Sequence, residues 1–258
     1  MKNPQRRKKI EYFIYPIISL AVVILIWYIA AKSLNVEFIL PTPAKTFSEF
    51  LRILSLDEFY QGVFNTLLHA VLSFLMAFVA ALIFAFLARA SSVFDKLFYP
   101  VVVIMRVAPT MSVIFLSIIW ISSDKAPYLV GVLILFPLLY ASFYQSIGSV
   151  DKDLIKMADA YGVKKIDKLT GLYLPCVAKN IYSESLSTLS FSVKLAVSGE
   201  AISQGGVSIG FLMQAAKAYL ETSTLIAYTV AAIIMGFLLE LIVRLIAFIV
   251  RRIVYAKA

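Results

Sequence analysis

Six apolar stretches, each twenty residues or longer, constrain what this 258-residue chain can fold into more than any other feature. They run from about residue 10 to 31, 63 to 88, 97 to 121, 128 to 147, 181 to 202 and 225 to 250. At about 1.5 Å per residue, some twenty helical residues cross the ~30 Å hydrocarbon core of a bilayer. Lipid tolerates only backbones whose polar groups are satisfied internally. The expectation is an all-α, polytopic membrane protein with six transmembrane helices in a single domain, residues 1–258. Composition agrees, because 61% hydrophobic and 15% charged residues lie well outside the roughly 45–50% apolar and about 25% charged of soluble domains. The formal charge of +9 therefore marks a cytoplasmic face and not a nucleic-acid partner, since base readout needs basic and aromatic residues on a solvated surface.

Charge orients the chain. Lys2, Arg6, Arg7, Lys8 and Lys9 precede the first run, and Trp27, Tyr28 and Lys32 near its far end argue for a retained, anchored helix and not a cleaved leader. Residues 33–61 hold Pro41, Pro43, Glu37, Glu49, Asp57 and Glu58, and are expected outside with a short helix from about Thr42 to Leu54. Pro100, Arg106 and Pro109 should break or kink the third run. Between the fourth and fifth runs, residues 148–180 carry Lys152, Lys156, Lys164, Lys165, Lys168 and Lys179. That loop is cytoplasmic by the positive-inside rule, as are both termini.

Within the loop, Leu154, Ala158 and Tyr161 share one face of a short helix that starts after an Asp151 cap and ends at Gly162. Ile166, Leu169, Leu172 and Tyr173 give a second stripe before Pro175 interrupts it. Permease subunits of bacterial ABC importers carry a loop of the form E-A-A-x-x-x-G, nine residues, then I-x-L-P. Ala158, Gly162, Leu172, Leu174 and Pro175 stand at those places here, with Lys156 and Met157 where the pattern has Glu and its first Ala. Leu40-Pro41-Thr42-Pro43, Arg106-Val107-Ala108-Pro109, and Gly199-Glu200-Ala201-Ile202 followed by Ile209-Gly210 resemble the nitrate, taurine and aliphatic-sulfonate subfamily.

The resemblance implies a type I importer permease in a bacterial plasma (inner) membrane. It implies a second copy of the permease, two cytoplasmic ATPase subunits and an external solute-binding protein. Alternating access would carry a small anionic solute such as a sulfonate, taurine or nitrate. The ATPase-coupling residues would be Ala158, Asp159, Ala160, Tyr161, Gly162, Leu172, Leu174 and Pro175.

No glycine begins a G-x-x-x-x-G-K-[ST] loop, so the expectation is no cofactor in this chain, with ATP and magnesium held by the partner subunit. The single His69 and single Cys176 make no usual metal site. His69 reads as a hydrogen-bonded packing residue, Glu240 and Arg244 as an i, i+4 pair, and Glu200 as a brace at the external end of the fifth helix. Ser183, Ser187, Ser190, Lys194 and Ser198 fall on one polar stripe of that helix; with Arg106 they are the candidate translocation path, against a packing role for the serines, a pairing of Lys194 with Glu200 of another copy, and an anchoring role for Arg106 at the cytoplasmic edge. A secondary transporter would need internal repeats and midplane ion-coupling residues, and an intramembrane enzyme a convergent catalytic set; neither pattern is seen.

Overall fold

A computed structural model describes the backbone of residues 4–256. Side chains are described for 14–249, apart from Lys152, Lys165, Leu169, Leu174, Cys176 and Lys179. The basic residues that precede the first run and follow the last thus lie outside the described side chains. Every regular element among the described residues is helical. Helix α1 is Pro4–Leu34, α2 Pro43–Ile53, α3 Asp57–Ala90, α4 Ser92–Val107, α5 Thr110–Trp120 and α6 Ala126–Gly148. After α7, Lys152–Ala160, the short α8, Lys165–Lys168, and a π-turn, Leu169–Tyr173, lead into α9, Leu174–Ser203; α10, Ile209–Ala218, and α11, Thr222–Ala256, complete the chain.

Four helices are long and apolar enough to cross a membrane: α1, α3, α6 and α11. A fifth crossing is supplied if α4 and α5 count as one bent span, because they meet at 102° across Ala108 and Pro109. Pro109 has no N–H, and it drives the preceding residue out of the helical region; Ala108 accordingly sits at φ −55°, ψ 129°. Pro100 lies inside α4 without ending it. At 30 residues α9 is long enough to span, but its serines keep it out of that set.

The chain divides into two compact units. In the first, Met1–Asp57 with Met213–Ala231, Thr42 caps α2 by accepting from the Lys45 amide, and Pro43 occupies the first turn, where its missing N–H costs nothing. Trp27 does more than anchor at an interface: its indole N–H donates to Pro41 O at 3.0 Å. Glu49 accepts from Arg52 Nε at 2.7 Å, holding the guanidinium pKa above its usual value.

The second unit, Glu58–Leu212 with Ala232–Ala258, holds the main core. Ala77, Ala81, Ala85 and Ala88 give α3 a buried small-residue face, the spacing that lets helices approach closely in lipid. Leu135, Leu139 and Phe143 of α6 are fully buried beside Leu189 and Leu195 of α9. A run of rings, Phe84, Phe94, Phe98, Phe136 and Tyr140, joins α3, α4 and α6.

Candidate coupling loop and solute-path residues

Local chemistry explains the loop helix. Asp151 accepts from the Asp153 amide at 2.8 Å and opens α7. Tyr161 N and Val163 N close it on Met157 O and Ala158 O, at 3.1 and 3.0 Å. Gly162 takes φ +66°, the left-handed cap that a residue with a β-carbon adopts only at a cost. A Cβ placed there would meet nothing within 4 Å, so the cap is open to whatever lies beyond.

The face that α7 presents differs from the sequence expectation. Leu154, Met157 and Tyr161 are the exposed apolar residues, Tyr161 at 82%, whereas Ala158 is half-buried. Ile155 faces inward, packed on the core with Leu172 and Tyr173, and Ala158, three residues on, follows it round the helix. Met157, which departs from the importer pattern, is thus the middle of the exposed ridge. Ala160 and Gly162 are exposed, as is Asp159, which pairs with Lys168.

Leu172 anchors the loop and does not project from it, with Val150 and the fully buried Val177 in the same cluster. Leu174 lies outside the described side chains. Pro175 does not stop a helix: it occupies the first turn of α9, and the π-turn before it absorbs the mismatch between α8 and α9. The second stripe of the loop, expected to be interrupted at Pro175, is therefore continuous with the fifth apolar run.

The expected path residues divide into two groups. On α9, Ser183, Ser187 and Lys194 are exposed, while Ser190 and Ser198 are half-buried. Ser190 donates to Glu240 at 2.9 Å, Ser198 to Lys194 O at 2.9 Å and Ser187 to Ser183 O at 3.4 Å. These bonds satisfy three of the four serines within the subunit. Glu240 also accepts from Arg244 Nε at 2.9 Å, the pair expected from their spacing. The Lys194 ammonium lies 5.8 Å from the Phe191 ring centroid. Arg106, exposed in the last turn of α4, lies instead in a groove with Lys96, Tyr99, Tyr140 and Tyr144. Helix α6 separates the two groups, turning Tyr140 and Tyr144 to the groove and Ser142, Gln145 and Ser146 to the pocket that holds Ser183.

Glu200 is buried and engaged within its own subunit. It is 2% exposed; its Oε2 accepts from Thr66 Oγ1 at 2.8 Å and Gly210 N at 3.0 Å, and its Oε1 lies 2.7 Å from His69 Nδ1. Thr66 Oγ1 accepts in turn from Ile209 N at 3.0 Å. The cluster pins the start of α10 to α3 and α9. Gly210 permits it, since a Cβ there would fall 2.3 Å from Val197 O. The bracing role of Glu200 was legible in the sequence, but the part of Thr66, 134 residues away, was not.

An all-α membrane bundle with a capped, surface-projecting loop helix between its fourth and fifth apolar runs is the architecture of an importer permease. The chain belongs to the family described as the binding-protein-dependent transport system inner membrane component, whose sequence profile matches residues 77–254. It is 24% identical over 231 residues to a protein named as a putative aliphatic sulfonates transport permease, SsuC, of Bacillus subtilis (strain 168), covering 87% of this chain and 82% of that one. It is 25% identical over 230 residues to the taurine transport system permease protein TauC of Escherichia coli (strain K12), covering 86% and 83%. Among solved structures, a chain of the inward-facing MetNI methionine ABC transporter superposes with a TM-score of 0.58 at 18% identity, over 72% of this chain and 95% of that chain, and shows a shared fold. This is a multi-pass inner-membrane transport permease.

Proposed function

We propose that the chain is the membrane-spanning subunit of an ATP-driven importer for organic sulfonates, the solute class in the names of its relatives. It works as one of two permease copies, with two cytoplasmic ATPase subunits that hold ATP and magnesium and an external binding protein that delivers solute. On this reading α4 and α5 form one bent span and α9 a protein-packed one, giving six crossings with both termini on one side, and the lysines of residues 148–180 make that side the cytoplasm.

The observation that carries this reading is the ridge of Leu154, Met157 and Tyr161 on α7, next to the open cap at Gly162. An amphipathic helix with its apolar face exposed fits a groove on a partner. Ala158 to Gly162 supply the close approach there, while Leu172, with Leu174 and Pro175 beside it, ties that contact to α9. ATP binding closes the ATPase pair, α7 moves with it, and α9 passes the motion to the path. Arg106 leads the solute contacts because its guanidinium is unpaired among the described residues, and exposed Lys194 is the second cation; the stripe serines chiefly pack.

Co-expression of the tagged permease with candidate ABC ATPase subunits of the same organism tests the assembly. A purified complex with the mass of two permeases and two ATPases is expected. A permease that purifies alone, at every nucleotide condition, would contradict the coupling role of α7.

A further inference from the structure

Helix α2 divides its surface among three surroundings. At about 100° per residue, Thr46 and Ile53 fall within about 20° of each other, Phe47 and Leu51 within about 40°, and Lys45 and Arg52 within about 20°, with the three pairs about 100–130° apart. Thr46 and Ile53 are buried and Lys45 and Arg52 exposed, the two faces that an amphipathic helix on a protein in water requires. Phe47 and Leu51 form a third sector, apolar yet 63% and 54% exposed. Phe38 and Ile39, in the turn ahead of the helix, are exposed as well.

The path of the chain sets the depth of this sector. Helix α1 is an apolar span with an almost wholly exposed surface, so lipid covers it. Asn35, at φ +48°, reverses the chain after Leu34. Pro41 O then accepts from the Trp27 indole at 3.0 Å, seven residues or about 10 Å back from the end of α1. Pro41 is fully buried, and α2 begins two residues later. Trp27, Tyr28 and Lys32, whose ammonium lies 5.8 Å from the Tyr28 ring centroid, are residue types that anchor a span at the headgroup boundary. Helix α2 therefore starts at the level of those anchors, beside the lipid-covered surface of α1 and not above it. Its exposed polar side chains are already satisfied: Lys45 pairs with Glu37, Arg52 Nε donates to Glu49 at 2.7 Å, and the Ser48 hydroxyl donates to Lys45 O at 2.7 Å.

We infer that α2 is an interfacial helix whose partner is the lipid of the outer leaflet: Phe47 and Leu51 lie among the acyl chains just below the headgroups, and Lys45 and Arg52 turn to water. An amphipathic helix lying in the plane of the interface buries its apolar sector at that boundary. Lipid is the occupant because the sector continues the lipid-covered surface of α1 and offers a protein no free hydrogen-bonding group. Apolar area holds the helix there and charge does not, since each cation is matched by a carboxylate of its own unit. The inference goes beyond the transport reading and takes from it only the orientation of α1, which names the leaflet.

The test places a nitroxide label on the full-length permease in nanodiscs, on a Cys176→Ser background, through Phe47→Cys, Leu51→Cys or Lys45→Cys. Oxygen, which concentrates in hydrocarbon, should relax the labels at 47 and 51 more than water-soluble nickel ethylenediaminediacetate does, and the order should reverse at 45. The pattern should be the same in phosphatidylcholine and with phosphatidylglycerol added. Relaxation at 47 and 51 dominated by nickel would put the sector in water, and weak relaxation by both agents would put it under protein, a second copy or another subunit; either overturns the assignment. So would a membrane position that appears only with phosphatidylglycerol, since charge would then hold the helix. Phe47→Trp in the otherwise wild-type chain gives a readout that does not depend on the cysteine background. Its added fluorescence should be quenched by lipids brominated near the headgroup end of the chain and not by iodide, and the opposite result would also overturn the inference. Orientation is tested apart from lipid contact by the sidedness of a label at position 57: a cytoplasmic position 57 would remove the outer-leaflet assignment and the proposed topology together, whereas an external position 57 with nickel-dominated labels at 47 and 51 removes only the interfacial helix.

Discussion

Replacing Glu200 with alanine should be among the most destabilising single changes in this protein. The side chain is 2% exposed and has three polar partners: it accepts from Thr66 Oγ1 at 2.8 Å and Gly210 N at 3.0 Å, and lies 2.7 Å from His69 Nδ1. A buried donor left without an acceptor costs about 1–3 kcal/mol. Removing the carboxylate strands the Gly210 amide outright and leaves Thr66 and His69 to find water or each other. Relaxation and water entry prevent the three losses from adding in full, so about 3–5 kcal/mol is expected, the range seen when one partner of a buried charged cluster is deleted. Glu200→Gln keeps the shape and one acceptor oxygen but turns an amide donor toward other donors, and should cost about 1–3 kcal/mol. Equilibrium unfolding in mixed detergent and dodecyl sulfate micelles, followed by tryptophan fluorescence, measures both. Proteolysis at Gly205 and Gly206 should also rise in the alanine variant, because α10 loses its tie to α3. An alanine variant within about 0.5 kcal/mol of wild type, the scatter of an ordinary surface substitution, would refute the reasoning.

A cysteine at position 165 should react with a membrane-impermeant reagent only from the cytoplasmic side and one at position 57 only from outside; the reverse pattern in intact cells would overturn the orientation. Gly162→Leu should abolish transport while the chain still inserts, since the left-handed φ of +66° costs a β-carbon about 1–2 kcal/mol and the side chain would project from the contact face; wild-type uptake would mean that this face points elsewhere. Met157→Asp should weaken ATPase association in pull-downs, because it sets a charge in the centre of the exposed ridge, and unchanged association would remove Met157 from the contact. Lys194→Met should lower uptake of an anionic solute about fivefold, the Boltzmann weight of the ~1 kcal/mol that a charge pair is worth at 4 Å in water, with assembly intact; wild-type rates would leave the α9 stripe as packing.

What could be read from the sequence was set by local chemistry. The Asp151 cap, the left-handed glycine at 162, the Thr42 start of α2 and the Pro109 break depend on neighbours within a few residues, and each takes the form its residue types dictate. The extent of α9 was harder, because its serines, with Lys194 and Glu200, blur its hydropathy and a π-turn carries the chain past Pro175. Periodicity put Ala158 on the outer face of α7 with Leu154 and Tyr161, whereas tertiary packing of Ile155 against the core rotated the helix and brought Met157 out instead. Arg106 and Lys194 looked alike as intramembrane cations. Their separation by α6 depends on which faces of α6 meet α4 and α9, which spacing within any one segment does not encode.

The central claim is that this chain moves a sulfonate across the membrane only when a separate ATPase drives it and a binding protein supplies it. Uptake of radiolabelled alkanesulfonate into proteoliposomes is the direct measurement, with permease, ATPase, binding protein and ATP present together and then omitted one at a time. Accumulation in the complete system, and its loss on every omission, is the predicted result. Accumulation by the permease alone under an ion gradient, without ATP or ATPase, would contradict the account.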